Sequence, residues 1–228
     1  MRPLRRVNWS VPVLVGILIV GLGVGWLSEA GAQVVFSDPG LPPESDPPDC
    51  GNLMSLYEGS GVHVIYPGPI EMSDPHYKCF QNVDRQAVGS DENETFDCIW
   101  ECEMDFGFGL TLVTLTGPAS HMVYGKVGNT TGMFDSEIIS MSLSGTAGVA
   151  NIVLRESPTL SSSGVTVITD LGGGLYQIDS FFDVFTELSF DGGPWMAQTS
   201  QAGRITLVPA ESVPTQPTLW GGLKALFH

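Results

Sequence analysis

Basic side chains are scarce in this 228-residue chain: nine Lys and Arg stand against 25 Asp and Glu, for a formal net charge of −16. Surfaces that hold phosphate backbones need Lys and Arg to neutralise charge, so nucleic acid is excluded as an expected partner. Histidine is nearly as rare, at positions 63, 76, 121 and 228 only. No G-x-S-x-G elbow occurs and serines are spread throughout, so a Ser-His-Asp triad has no support in the sequence. No cysteine follows Cys102, and no apolar run of spanning length follows Leu27, so the processed chain is expected to carry no membrane helix. Lys, Arg and Ala are sparse, whereas glycine and proline number 28 and 16. That balance breaks a chain into short strands and turns and disfavours long helices, so the expected class is all-β.

What is present begins with an export signature. Arg2, Arg5 and Arg6 precede an uncharged apolar run from Val11 to Leu27, and Ala30-Gly31-Ala32 follows. These are the basic region, apolar region and A-x-A cleavage pattern of a secretory signal peptide, residues 1–32. An uncleaved anchor is the competing reading, but Pro12 and the glycines at 16, 21, 23 and 25 make a poor permanent helix. Removing three arginines and one glutamate takes the formal charge from −16 to −18. The expected location is secreted, extracellular or at the cell surface.

Cys50, Cys79, Cys98 and Cys102 form an even set, and in an exported chain they read as two disulfides of unassigned pairing. Zinc is disfavoured, because His76 shares no recognised ligand spacing with Cys98-x-x-x-Cys102. The expected organisation is a Pro/Asp/Ser-rich linker at 33–49, a loop-rich cysteine segment at 50–104 holding one strand near Val62–Tyr66, a β domain at 105–210, and a tail at 211–228 with Leu219, Leu223, Leu226 and Phe227 near helical spacing. Strands are expected at 109–116, 121–127, 137–144, 149–155, 164–169, 174–179, 181–190 and 203–208. Regular short strands separated by turn residues predict an antiparallel β-sandwich, with the cysteine segment as a disulfide-stapled extension.

Several phrases carry a family likeness: Val123-Tyr124-Gly125-Lys126-Val127-Gly128, Phe134-Asp135-Ser136-Glu137-Ile138, Arg155-Glu156-Ser157-Pro158-Thr159, Gly172-Gly173-Gly174 and the run from Asp179 to Gly193. Residues 110–209 resemble a loosely defined group of secreted, β-rich bacterial proteins that often end in PEP-CTERM-type or other surface-sorting tails. The resemblance implies an extracellular bacterial setting and no particular activity. The Pro-Glu-Pro signal, apolar span and basic finish of such tails are missing from this sequence.

Two constellations stand out. On the predicted strand from Tyr176, the even positions Ile178, Phe182, Val184, Leu188 and Phe190 are apolar and face a core. Asp179, Phe181, Asp183, Phe185 and Glu187 then share the opposite face, where acids alternate with aromatic rings as they do on sugar-binding surfaces. The plainer reading is an outward face covered by other chain segments. Asp183 and Glu187 lie about 13 Å apart along a strand, too far for the two carboxylates of a glycosidase. The second constellation is Asp91, Glu92, Glu94 and Asp97, which as a loop could wrap Ca²⁺; it lacks the order of a calcium-loop motif, and a solvated charge run is the plainer reading.

The expected function is a non-catalytic structural or binding module outside the cell, with no cofactor unless it is calcium. An extracellular glycan or a surface protein is the expected partner. The alternatives are a carbohydrate- or calcium-dependent adhesion module and a secreted hydrolase assembled from distant strands.

Overall fold

The computed structural model describes residues 35–42 and 55–209. The segment expected to be a signal peptide (1–32), Cys50 and the expected tail at 211–228 lie outside the described residues. Thirteen strands follow in order: β1 (Val35–Phe36), β2 (Ser55–Glu58), β3 (His63–Tyr66), β4 (Ile70–Val88), β5 (Asp91–Asp105), β6 (Leu110–Val123), β7 (Gly132–Ala147), β8 (Ala150–Glu156), β9 (Ser162–Gly172), β10 (Leu175–Val184), β11 (Thr186–Phe190), β12 (Met196–Ala197) and β13 (Gly203–Pro209). No described residue is helical, and no helix among them is long and apolar enough to cross a membrane.

The pairing closes on itself. β2, β4, β5, β6, β7, β9, β10 and β13 are hydrogen-bonded in that cyclic order, each to its neighbours in antiparallel sense, and β13 returns to β2. This is an eight-stranded closed barrel, so the all-β expectation holds and the two-sheet sandwich does not. Closure leaves no strand edge in the ring, which satisfies backbone groups that a sandwich leaves at its margins. At one end β3, β8, β11 and β12 continue the wall: β3 extends beside β4, β8 beside β7, β11 beside β8 and β12 beside β11. There Thr199 donates its N–H to the Ile65 carbonyl at 2.7 Å.

Strand alternation sets inside from outside. On β5 the even positions Phe96, Cys98, Trp100, Cys102 and Met104 are buried, and on β10 so are Ile178, Ser180, Phe182 and Val184. Tyr57, Tyr77, Phe80, Leu115, Leu143, Ile205 and Leu207 meet them, so side chains fill the barrel as in other small barrels. β4 slips register against β5 at three places, and Asp74, Cys79 and Asn82 take positive φ of 46°, 61° and 53° there. Bulges of this kind bend a strand and raise its twist, which lets a strand of 19 residues follow the barrel wall.

Four further expectations are corrected. The cysteine segment, read as loop-rich, supplies β4 and β5; its irregular polar pattern arises because bulges break the period of two on β4 and because acids fill the outward positions of β5. The linker reading of 33–49 fails over its described part, where Val35 and Phe36 pair with Gln177 and Tyr176 and Phe36 and Leu41 are buried. The reading of two disulfides is corrected in part: Cys98 and Cys102 are buried free thiols, whereas Cys79 is disulfide-bonded. The strands expected at 109–116 and 121–127 are one strand, β6, because Gly117 and Pro118 are accommodated within the ladder.

Candidate functional site

The odd face of β10 turns outward, as its alternation requires, and meets β13 in register: Asp183 pairs with Arg204 and Phe181 with Thr206. The Arg204 guanidinium forks onto Asp183, Nε to Oδ1 at 2.8 Å and Nη2 to Oδ2 at 2.7 Å. It also lies 4.1 Å over the Phe181 ring. This hydrogen-bonded pairing holds the Asp183 carboxyl below the usual carboxylate range.

Opposite this stack, Glu137 of β7 accepts the Tyr124 hydroxyl at Oε2, 2.6 Å away, and the Ser161 hydroxyl at Oε1. The Tyr124 phenol is pushed up to about 12, first by its bond to Glu137 and then by burial. Between the two walls runs β9, contributing Ser163, Gly164 and Val165 to the floor of a groove of about 310 Å³. Gly164 is needed there, since a Cβ would stand 2.1 Å from the Phe181 carbonyl oxygen. The groove therefore offers a half-buried ring, a fixed guanidinium, three carboxylates (Asp135, Glu137, Asp183) and the Ser163 hydroxyl.

A second groove of about 330 Å³ shares Glu137 and is lined by Glu156, Ser157, Thr159 and Leu160. Burial pushes the Glu156 carboxyl up to about 7; Glu137 and Glu187 add to the effect, and a hydrogen bond from Ser162 opposes it.

Of the five stripe residues, Phe181 and Asp183 line the first groove. Asp179 is exposed and bonds the Gln177 amide at 2.9 Å. Phe185 falls between β10 and β11, its N–H donated to Ser162 Oγ. Glu187 is buried against Arg155. The stripe ends at Phe185 because Thr186, Glu187, Leu188 and Ser189 are all covered, leaving no outward face on β11 for a ligand.

The four acids of 91–97 lie at the start of β5, and alternation separates them. Asp91 accepts the Gly125 N–H at 2.8 Å and Asp97 accepts the Asn82 amide at 2.8 Å, whereas Glu94 points into the barrel. The segment expected as a loop is a strand, which sends Asp91 and Asp97 to one face and Glu92 and Glu94 to the other. Among the described residues no group of three or more His, Cys, Asp or Glu is placed to hold a metal ion.

Arg204, Tyr124, Glu137 and Ser163 were not legible as site residues, since they come from four separate parts of the chain. One signal was available, the rarity of basic residues. Among the described residues each is committed: Lys78 to Glu101, Arg85 to Asp38 and Glu94, Arg155 to Glu187, Arg204 to Asp183, and Lys126 near the Phe134 ring.

No family model matches this chain, and comparison with curated proteins and with solved structures gives no match.

Proposed function

We propose that this is an exported, non-catalytic binding module of the bacterial cell surface or extracellular space, and that the groove between Phe181–Arg204 and Tyr124–Glu137 takes a short extracellular glycan. The arrangement of the groove carries the reading. Its carboxylates and hydroxyls are fixed by partners, with Asp183 held by Arg204 and Glu137 by Tyr124 and Ser161. Such preorganised acceptors match sugar hydroxyls without an ordering cost on binding, and the exposed edge of Phe181 and the Tyr124 ring supply the apolar contacts that sugar faces use. The calcium-dependent form of adhesion loses its motive, because the acids that suggested it are divided between two faces of β5.

A glycan array probed with the chain from Gln33 onward tests this. Binding by wild type that is lost in Tyr124→Ala and Phe181→Ala supports the groove. Absence of any hit, or equal binding by both variants, refutes it.

A further inference from the structure

The upper barrel mouth, where β4 turns into β5, carries polar atoms that the fold does not satisfy. Arg85 on β4, Glu94 on β5 and His121 on β6 are directly opposed in register. Glu94 and His121 are both 0% exposed. Glu94 Oε1 accepts the Leu41 N–H at 2.9 Å and Arg85 Nε at 3.3 Å, but its Oε2 has no partner, and neither do His121 Nδ1, Glu92 Oε1 and Ser136 Oγ. Ser136 lies on β7 across from Val123, which itself faces Glu92. A buried polar group without a partner costs about 1–3 kcal/mol, so several together near one mouth call for a guest that bonds them.

One segment closes this mouth. Phe36 pairs with Tyr176 beside the ring, and from there the chain runs to Pro42 across Arg85. The guanidinium binds Asp38 Oδ2 at 2.8 Å and the Pro42 carbonyl at 3.1 Å. It is packed so closely on Gly40 that a Cβ there would stand 2.2 Å from its central carbon. The strap buries the side chains of Phe36 and Leu41.

We propose that Phe36–Pro42 is a lid over a second ligand site, formed by Glu92, Glu94, His121 and Ser136, which opens to admit a small, neutral, polyhydroxylated molecule. The charge at the mouth argues for a neutral guest: burial holds the Glu94 carboxyl well above its usual range, and Glu92 and Asp38 stand against Lys126 and Arg85. The orphaned atoms argue for hydroxyls, which donate to carboxylate oxygens and pair with Ser136 and His121 in either direction. Arg85 clamps the lid beside the Leu41–Glu94 bond and the burial of Phe36 and Leu41, so weakening the clamp raises the open fraction and with it the apparent affinity.

The test uses the chain from Gln33 with glucose, galactose and glycerol as probes, read by calorimetry over the millimolar range and by hydrogen exchange at the Leu41 amide. Saturable binding of a probe accompanied by faster Leu41 exchange is expected, because the guest displaces the N–H from Glu94. Asp38→Ala loosens the clamp from its exposed side and is expected to tighten apparent binding by about tenfold; His121→Phe is expected to abolish it. Absence of binding by both wild type and Asp38→Ala overturns the proposal, as does binding that leaves Leu41 exchange unchanged or slower. Binding that survives His121→Phe but is lost in Phe181→Ala also overturns it, by placing the probe in the outer groove.

Discussion

Arg155 donates from both Nε and Nη2 to a single oxygen of Glu187, at 3.0 and 2.6 Å, while its guanidinium lies 3.9 Å over the ring of Trp195. The two residues are directly opposed between β8 and β11, and Glu187 is almost wholly buried. Removing the arginine strands a carboxylate that cannot recover its water. Arg155→Ala is therefore expected to lower stability by about 2–3 kcal/mol in denaturant melts, and Arg155→Lys to restore only part, because an ammonium cannot stack on Trp195 as a planar guanidinium does. The exposed Arg204–Asp183 pair provides the contrast: Arg204→Ala should leave the midpoint nearly unchanged.

Gly164 separates groove integrity from general folding. Gly164→Ala drives a methyl onto the Phe181 carbonyl and should cost about 3 kcal/mol by overpacking. Gly173→Ala, at φ +67° with open space around it, should cost about 1 kcal/mol from backbone strain alone. Thermal midpoints of the two variants, measured side by side, check the difference.

His121 gives the barrel an acid limit. Burial holds its imidazole down to about 3, against an ordinary 6.5. The unfolded chain takes up this proton as pH falls through 6.5, whereas the folded barrel resists it until about pH 3. Stability is lost between those values at up to about 1.4 kcal/mol per pH unit. Urea melts of wild type and His121→Gln at pH 6, 5 and 4 should diverge steadily, the variant showing the shallower slope; parallel lines would contradict the assignment.

Cys98 and Cys102 both face inward on β5, and burial pushes their thiols up to about 12. Four residues along one strand separate them by about 13 Å, beyond disulfide reach. Neither is expected to react with a thiol reagent in the native protein at neutral pH, and both should react at once in denaturant. Peptide mapping that recovers a Cys98–Cys102 bridge would disprove the placement.

The stripe on β10 shows how far the sequence could be read. A period of two over Ile178, Ser180, Phe182 and Val184 correctly separated the buried face from the outward one, and so placed Phe181 and Asp183 at a surface. It could not extend that surface past Phe185, because whether β11 is covered depends on Arg155 and Trp195, whose approach is a matter of packing. The run from Asp91 to Asp97 misled for a related reason. Acids crowded in sequence read as a solvated loop, but a strand sends neighbours to opposite faces, and only the company of β4 and β6 makes this segment a strand.

By itself the sequence determined the all-β class, the turns and the facing of the regular strands, because alternation and glycine-rich punctuation are local properties of the chain. Tertiary structure alone decided that the sheet closes into a barrel, that β4 and β5 belong to its wall, and that Arg204 reaches Asp183 while Glu94 meets Arg85 and Leu41. Those outcomes depend on pairing between strands distant in the chain and on bulges that reset register, and no single segment encodes which partner it will find.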